Sequence, residues 1–334
     1  MKAALRSIVN HRSFQSTFDR HRESIDWLLS MCVVPAAYLL LAYRRLGSGA
    51  LPRTTSRLKE IGVFPIRNHY YEPLFDHRQL SARPSRERRL PGLDLNVAAQ
   101  LQFLEQLRCA DELVALRLHE RSDGVAAFCI DNDSFQSGDA DFLYQFLRRV
   151  RPATVVEVGS GNSTRIARLA LQVNRTETGR TCRHICVEPY EQPWLEQLDG
   201  LTVVRERVEA WTFDWTAELQ AGDLLFIDSS HVIRPQGDVL AEYLEIFPQL
   251  RPGVHVHIHD IFTPRDYLPG WVADHVRFWN EQYLLEALLA NTSRYEVVAA
   301  LNHLAHNHYD ALSRVCPYLT PEREPGSFYF KVRS

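Results

Sequence analysis

Six ionisable side chains, Glu157, Glu188, Asp228, His231, His259 and Asp260, stand at or just past the ends of short β-branched runs. An acid at a strand end can accept hydrogen bonds from ribose hydroxyls or attract a cationic ligand. Paired acids can hold a divalent ion, and an imidazole of near-neutral pKa can take the proton of an alcohol. The densest of these patterns is Thr154-Val155-Val156-Glu157-Val158-Gly159-Ser160-Gly161-Asn162-Ser163-Thr164. Gly159 and Gly161 allow positive φ and let a ligand approach bare backbone. Ser163 or Thr164 is expected to cap the following helix, whose first amides draw electron-rich groups.

These residues need a frame that brings them together. Apolar runs around 154–158, 183–187, 201–205, 223–227 and 254–258 read as strands, and the intervening segments read as helices. Such alternation implies a parallel sheet covered on both faces, with ligands bound at the carboxyl ends of its strands. A dinucleotide fingerprint wants glycine where Thr164 stands, which weakens a pyrophosphate reading. Glu157 suits instead the sulfonium and amino groups of S-adenosylmethionine. Val208 and Glu209, with Trp211, follow the third strand and could wall an adenine. His255 and His257 alternate with Val254, Val256 and Ile258 and read as structural histidines of the core or the surface, whereas Asp139 reads as a helix N-cap.

The motifs Glu157-Val158-Gly159-Ser160-Gly161-Asn162-Ser163, Val187-Glu188, Ile227-Asp228-Ser229-Ser230-His231 and His259-Asp260-Ile261-Phe262 resemble those of class I S-adenosylmethionine-dependent methyltransferases. The resemblance covers residues from about 125 to 334. It implies a Rossmann-like α/β fold with seven strands, the last two forming an antiparallel edge, for which 295–300 and 327–332 are candidates. It also implies cofactor contacts at Glu157, Gly159, Ser160, Gly161, Asn162, Ser163, Glu188, Val208, Glu209 and Asp228. A narrower likeness is to magnesium-dependent sugar O-methyltransferases of macrolide biosynthesis. There Asp228 matches a metal ligand, His231 the general base and Asp260 the last ligand, while His259 replaces a glutamate. Imidazole suits zinc, iron or manganese better than magnesium. The implied reaction is methyl transfer to a hydroxyl or amine of a small molecule. Two readings of other classes compete: an NAD-linked oxidoreductase on the same sheet, and a non-catalytic, membrane-attached binding module.

The composition is that of a globular protein: 334 residues, 45% hydrophobic, 24% charged, net charge −3. That charge gives no case for nucleic acid as partner. Six cysteines without a C-x-x-C pair fit reduced thiols and a cytoplasmic setting. The most apolar stretch, 25–43, admits three readings: a buried or subunit-pairing helix of a homo-oligomer, a helix lying on a membrane surface, or a membrane span. Pro65 and Pro73 hold an extended segment around His69, Tyr70 and Tyr71, read either as a lid facing substrate or as a packed strap. Tyr267, Trp271, Trp279 and Tyr283 are candidates for the substrate wall. Residues 96–120 read as one helix. The expected division is a helical N-terminal extension over 1–124 and a catalytic domain over 125–334.

Overall fold

The computed structural model describes residues 12–80, 82–120, 124, 127–190 and 192–333. They fall into two compact units divided between Leu80 and Ser81. In the first, helix α1 (Arg12–Leu46) carries a non-helical break at His21 and Pro35 within its apolar stretch. A short helix, Pro52–Ile61, follows and ends at Gly62, whose φ of 87° lets its N–H reach the Leu58 and Lys59 carbonyls. Tyr43 and Thr55 share a hydrogen bond of 2.6 Å. Glu72 gathers Arg44 at 2.7 Å and Arg67 at 2.9 Å, and the Arg44 hydrogen bond pulls its carboxyl down to about 2. His69 stacks on Tyr70 at 5.1 Å, and the exposed Tyr70 and Tyr71 rings lie tilted with centroids 3.9 Å apart.

The second unit is built on one seven-stranded sheet in the order β3-β2-β1-β4-β5-β7-β6. The strands are β1 (Thr154–Val158), β2 (Arg183–Val187), β3 (Leu201–Val204), β4 (Leu224–Ile227), β5 (His255–Ile258), β6 (Tyr295–Ala300) and β7 (Phe328–Val332). β1 to β5 pair in parallel, and β7 runs antiparallel to both β5 and β6. The expected Rossmann-like architecture is therefore present. The expected antiparallel edge is present too: β6 and β7 pair there, and because β7 inserts between β5 and β6 it alone runs against the rest.

Successive side chains of a strand face opposite sides, and the two cores divide accordingly. Val155, Leu224, Phe226 and Tyr329 pack with Phe142, Phe146, Ile166 and Leu171 of helices α2 (Asp139–Val150) and α3 (Asn162–Thr178). Val156, Val158, Ile227, Ile258 and Phe330 pack on the other face with Tyr243, Phe247, Leu285 and Leu289, the last two from helix α4 (Glu281–Leu289). Both faces of the central strands are thereby dry, which is why they read as unbroken apolar runs. His257 lies in the first core, stacked 4.0 Å from Tyr329. Burial pushes its pKa well below the ordinary range, as expected of a core histidine.

Three local expectations change. Residues 96–120 form two helices, Val97–Leu104 and Ala110–Ala115. The chain turns between them because Leu107 enters the core and the Cys109 N–H donates to Gln145 Oε1 at 2.9 Å. Segment 81–124, grouped by sequence with the N-terminal extension, belongs to the second unit, and Leu104, Leu107, Leu113 and Leu118 all join its core. Asp139 is the first residue of α2, not its cap: its carboxylate accepts the Ser327 N–H at 2.7 Å and the Gly326 N–H at 3.2 Å, tying the entry of β7 to the helix.

Candidate active site at the carboxyl ends of the strands

The crossovers leave β1 and β4 in opposite directions across the sheet, so a crevice opens between their carboxyl ends. Gly159 begins the turn at φ +78°, and an added Cβ there would lie 1.9 Å from the Asp228 carbonyl oxygen. Its N–H donates to the Val187 carbonyl at 3.0 Å, while the Asp228 N–H donates to Val158 at 2.8 Å. These bonds weld the turn to the ends of β2 and β4. Gly161 does not use that freedom: its φ of −177° is extended, and a Cβ there meets nothing within 4 Å. Gly161 is the residue preceding α3. Thr164, not Ser163, supplies the cap contact, its hydroxyl accepting the Gly161 N–H at 3.0 Å.

A cavity of about 220 Å³ lies over this turn, lined by Gly159 through Ser163, Arg165, Glu188, Trp194 and Asp228, with Ser134 and Phe135 on its far wall. Asn162 donates to Asn132 at 3.1 Å and to Ser134 at 3.0 Å, drawing that wall onto the loop. The guanidinium of Arg165 sits 3.9 Å from the centre of the Trp194 ring. Larger cavities, one of 890 Å³ beside Leu104 and Arg314, lie away from the strand mouths and gather none of the six ionisable residues.

The expected cofactor residues separate into two groups. Glu188 lines the cavity and accepts the Ser160 N–H at 3.3 Å and the Tyr190 N–H at 3.1 Å. Asp228 lines it as well. Glu157 does not: it is buried, accepting from Ser163 Oγ at 2.5 Å, facing His184 Nε2 at 3.1 Å and the Cys186 thiol at 3.3 Å. Strand pairing explains this, because Glu157 lies opposite Cys186 in the β1–β2 register. Val208 is in the second core, and Glu209 pairs with Arg207 at 3.4 Å, so neither reaches the cavity. Trp211 stacks on Phe213 at 4.2 Å.

Beside Asp228 the remaining ionisable groups do converge. His231 takes a positive φ of 58°. Its Nε2 lies 3.2 Å from Asp228 and 3.6 Å from Asp260, and its Nδ1 lies 2.7 Å from Glu281. Burial alone would lower the imidazole's pKa, yet the Asp228 and Glu281 hydrogen bonds outweigh it and lift the group to about 10. His259 lies 3.5 Å from Asp228 and 3.6 Å from Asp260 through Nδ1, and 3.7 Å from Asp139 through Nε2. Burial again opposes its charge, and the surrounding carboxylates still raise its pKa well above the ordinary value. Burial works to raise Asp228, but the attraction of His259 and His231 holds it below the usual carboxylate range.

Glu281 escaped the sequence reading. It is the first residue of α4, fully buried, and also accepts from Tyr243 Oη at 3.1 Å. The N–H groups of Asn280 and Glu281 donate to the His231 carbonyl at 3.0 and 3.2 Å, so the helix start grips the histidine by both backbone and side chain. A buried acid at a helix N-terminus looks like capping in sequence, and nothing local distinguishes the two.

Of the aromatic candidates, Trp279 packs on the His231 ring at 4.4 Å, and Tyr267 and Trp271 back it at 6.2 and 5.0 Å. Arg277 lies between Trp271 and Trp279 at 4.2 and 4.4 Å. Tyr267 is buried, its hydroxyl accepting the Gln282 N–H at 3.0 Å. Tyr283 bonds Asp266 at 3.2 Å and lies under the Arg88 guanidinium at 5.2 Å. His69, Tyr70 and Tyr71 belong to the first unit.

Residues 156–261, which hold the turn and all six ionisable groups, match a family described as a methyltransferase domain. A protein of Archaeoglobus fulgidus with no described function is 26% identical over 146 residues, covering 42% of this chain and 64% of that protein. The chain thus spans less than two thirds of the relative's length. Among solved structures, the plantazolicin methyltransferase BpumL in complex with a triazolic desmethylPZN analog and S-adenosylhomocysteine is 9% identical, covers 72% of this chain and 97% of its own, and gives a TM-score of 0.37. An O-methyltransferase from Bacillus cereus with S-adenosylhomocysteine is 15% identical, covers 70% and 91%, and gives 0.34. The O-methyltransferase TomG from Streptomyces achromogenes, involved in tomaymycin synthesis, is 14% identical, covers 70% and 90%, and gives 0.33.

Proposed function

We propose that this chain, which carries a class I S-adenosylmethionine-dependent methyltransferase domain, transfers the cofactor's methyl group to a hydroxyl of a small molecule, with His231 as proton acceptor. One observation carries the reading. The His231 ring is clamped at Nδ1 by a buried carboxylate while its Nε2 faces Asp228, which lines the same cavity as the glycine turn. A base oriented by a second group beside a cofactor loop is the arrangement that proton removal requires.

The turn fits the cofactor. Gly159 and Gly161 leave bare backbone at the cavity floor, and Glu188 presents its carboxylate from the end of β2, where ribose hydroxyls are received in such sheets. S-adenosylmethionine bound there supplies an electrophilic methyl on a positive sulfur. The chain's own part is to hold the acceptor oxygen in line with that methyl and to keep a proton acceptor within reach. Such positioning carries much of the rate. An alcohol needs the base more than a neutral amine does, which favours a hydroxyl acceptor. Titration calorimetry with S-adenosylhomocysteine and with NAD tests the reading: binding of the first and silence towards the second are expected, and the reverse defeats it.

A divalent cation belongs to the same proposal. Asp228, His259 and Asp260 bring one ligand atom each within 4.8 Å of one another, and the buried His259 Nδ1 has no hydrogen-bond partner. Ligand bonds of about 2.1 Å allow two ligands of one ion to lie up to roughly 4.2 Å apart, which the 3.5 and 3.6 Å spacings satisfy. Held by these three residues, a cation would lower the pKa of a bound hydroxyl and offset the negative charge that keeps His231 protonated. One nitrogen among the donors favours manganese, iron or zinc over magnesium. Chelation is expected to abolish activity and one such ion to restore it. Binding should also release the His259 proton, so its measured heat should vary with the buffer's ionisation enthalpy. Activity indifferent to chelator would reduce Asp228 and Asp260 to cofactor or substrate contacts.

Glu281 positions the base. Glu281→Gln removes a charge that raises the His231 pKa, so the acid limb of the rate profile should move to lower pH. Turnover is expected to fall roughly tenfold with S-adenosylhomocysteine affinity unchanged. An unmoved pH profile would make Glu281 a packing residue only.

A further inference from the structure

The N-terminal helix of the first unit has an environment that no part of that unit supplies. Phe18–Leu46 is a helix with a mean hydropathy of 1.9 in its most apolar window, and none of that window is buried. Leu28, Leu29, Met31, Val33, Val34 and Leu39 are each more than half exposed. Successive residues step about 100° round a helix axis, so these side chains cover every face, and a helix lying on a membrane surface would instead keep one polar face. A helix apolar all round is buried in protein or in lipid.

We infer that residues 27–43 of this helix span a lipid bilayer and tether the chain to it. This stretch holds no charged residue, and at 1.5 Å per residue it extends about 26 Å, close to the roughly 30 Å hydrocarbon core once flanking side chains reach outward. The exposed Trp27 stands at one end, the position that an amphipathic ring takes at an interface, and at the other end the buried Tyr43 joins the helix to the rest of the first unit through Thr55. Arg44 and Arg45 directly follow the stretch, Arg44 paired with Glu72 and Arg45 exposed, so that end can meet anionic headgroups. Arg20 and Arg22 before the stretch are balanced by Asp19, Glu23 and Asp26. At the second end, Phe64 packs against Tyr43 at 6.4 Å and under Arg44 at 5.0 Å, adding ring surface where an interface would lie. Ser30 returns its proton to the Trp27 carbonyl at 2.7 Å and so brings no unsatisfied donor into lipid, while the exposed Tyr38 would have to direct its hydroxyl toward the nearer interface.

The inference stands apart from the methyl-transfer reading, and its test uses the full chain without any assay of catalysis. Reconstituted into vesicles of phosphatidylcholine and phosphatidylglycerol, the protein should float with the lipid and stay there through high salt and alkaline carbonate. Val34→Arg, at the middle of the span, should cut the carbonate-resistant fraction about tenfold or more. Cys32 gives a readout on the unaltered chain, since it is exposed in the helix and sits within the span. In vesicles a membrane-impermeant maleimide should leave the Cys32 peptide unlabelled until SDS dissolves the bilayer. Release by carbonate, labelling of Cys32 in intact vesicles, or a water-soluble dimer that shields Cys32 without lipid would each overturn the assignment.

Discussion

His231→Ala is expected to lower turnover by roughly two orders of magnitude or more, the usual worth of a general base, while leaving affinity for S-adenosylhomocysteine intact. The separation follows from geometry. The imidazole does not line the cavity, and it meets that cavity only through Asp228, 3.2 Å away. The variant also leaves Asp228, Asp260 and Glu281 facing one another without the cation that now lies between them. A melting curve must therefore accompany the kinetics. The sign is fixed by the raised pKa. A histidine lifted from its usual value to about 10 on folding stabilises the fold fully below the unfolded pKa of about 6.5, and the contribution fades as pH rises through about 10. The melting difference between the parent and His231→Ala should thus be largest below about pH 6.5, shrink as pH rises from there, and be gone above about 10. Unchanged turnover in a folded variant would remove His231 from the chemistry.

Gly159→Ala should be the most damaging single methyl in the second unit. It places a side chain at φ +78°, a left-handed conformation costing about 1–2 kcal/mol for an L residue, and drives the Cβ to 1.9 Å from the Asp228 carbonyl oxygen. That oxygen belongs to the backbone at the end of β4, so relief means parting β1 from β4 where Asp228 N–H bonds Val158. Overpacking of this kind adds typically 1–3 kcal/mol. A total loss of about 3 kcal/mol or more by denaturant titration is expected, with cofactor binding lost alongside. Gly161→Ala is the matched control, because its backbone is extended and its Cβ meets nothing within 4 Å. Its melting temperature should match that of the parent, and any loss should appear in S-adenosylhomocysteine affinity. Equal stability of the two variants would contradict the close approach at Gly159.

The strand ends were legible because burial on both faces leaves a plain signature, a short β-branched run closed by an acid or a glycine turn. Thr154–Val158 and its turn, Val187-Glu188, Ile227-Asp228 and Ile258-His259-Asp260 all deliver their terminal residues to one edge, as that signature implies. Residue order along a parallel strand determines which end a side chain reaches, and sequence alone carries it. It does not carry what lies beside that side chain. Glu157 sits at the right end of β1 yet turns to His184 and Cys186, because its partner is decided by the β1–β2 register. Val208 and Glu209 follow β3 as expected but fall into the core and onto Arg207. Glu281, fifty residues beyond His231, becomes its anchor only when α4 packs against the sheet. Sequence determined the fold's periodicity and the identity of the groups at the rim. Tertiary structure decided which of them face the cavity and which face one another, since burial, charge pairing and left-handed turns at His231 and Gly159 depend on neighbours distant along the chain.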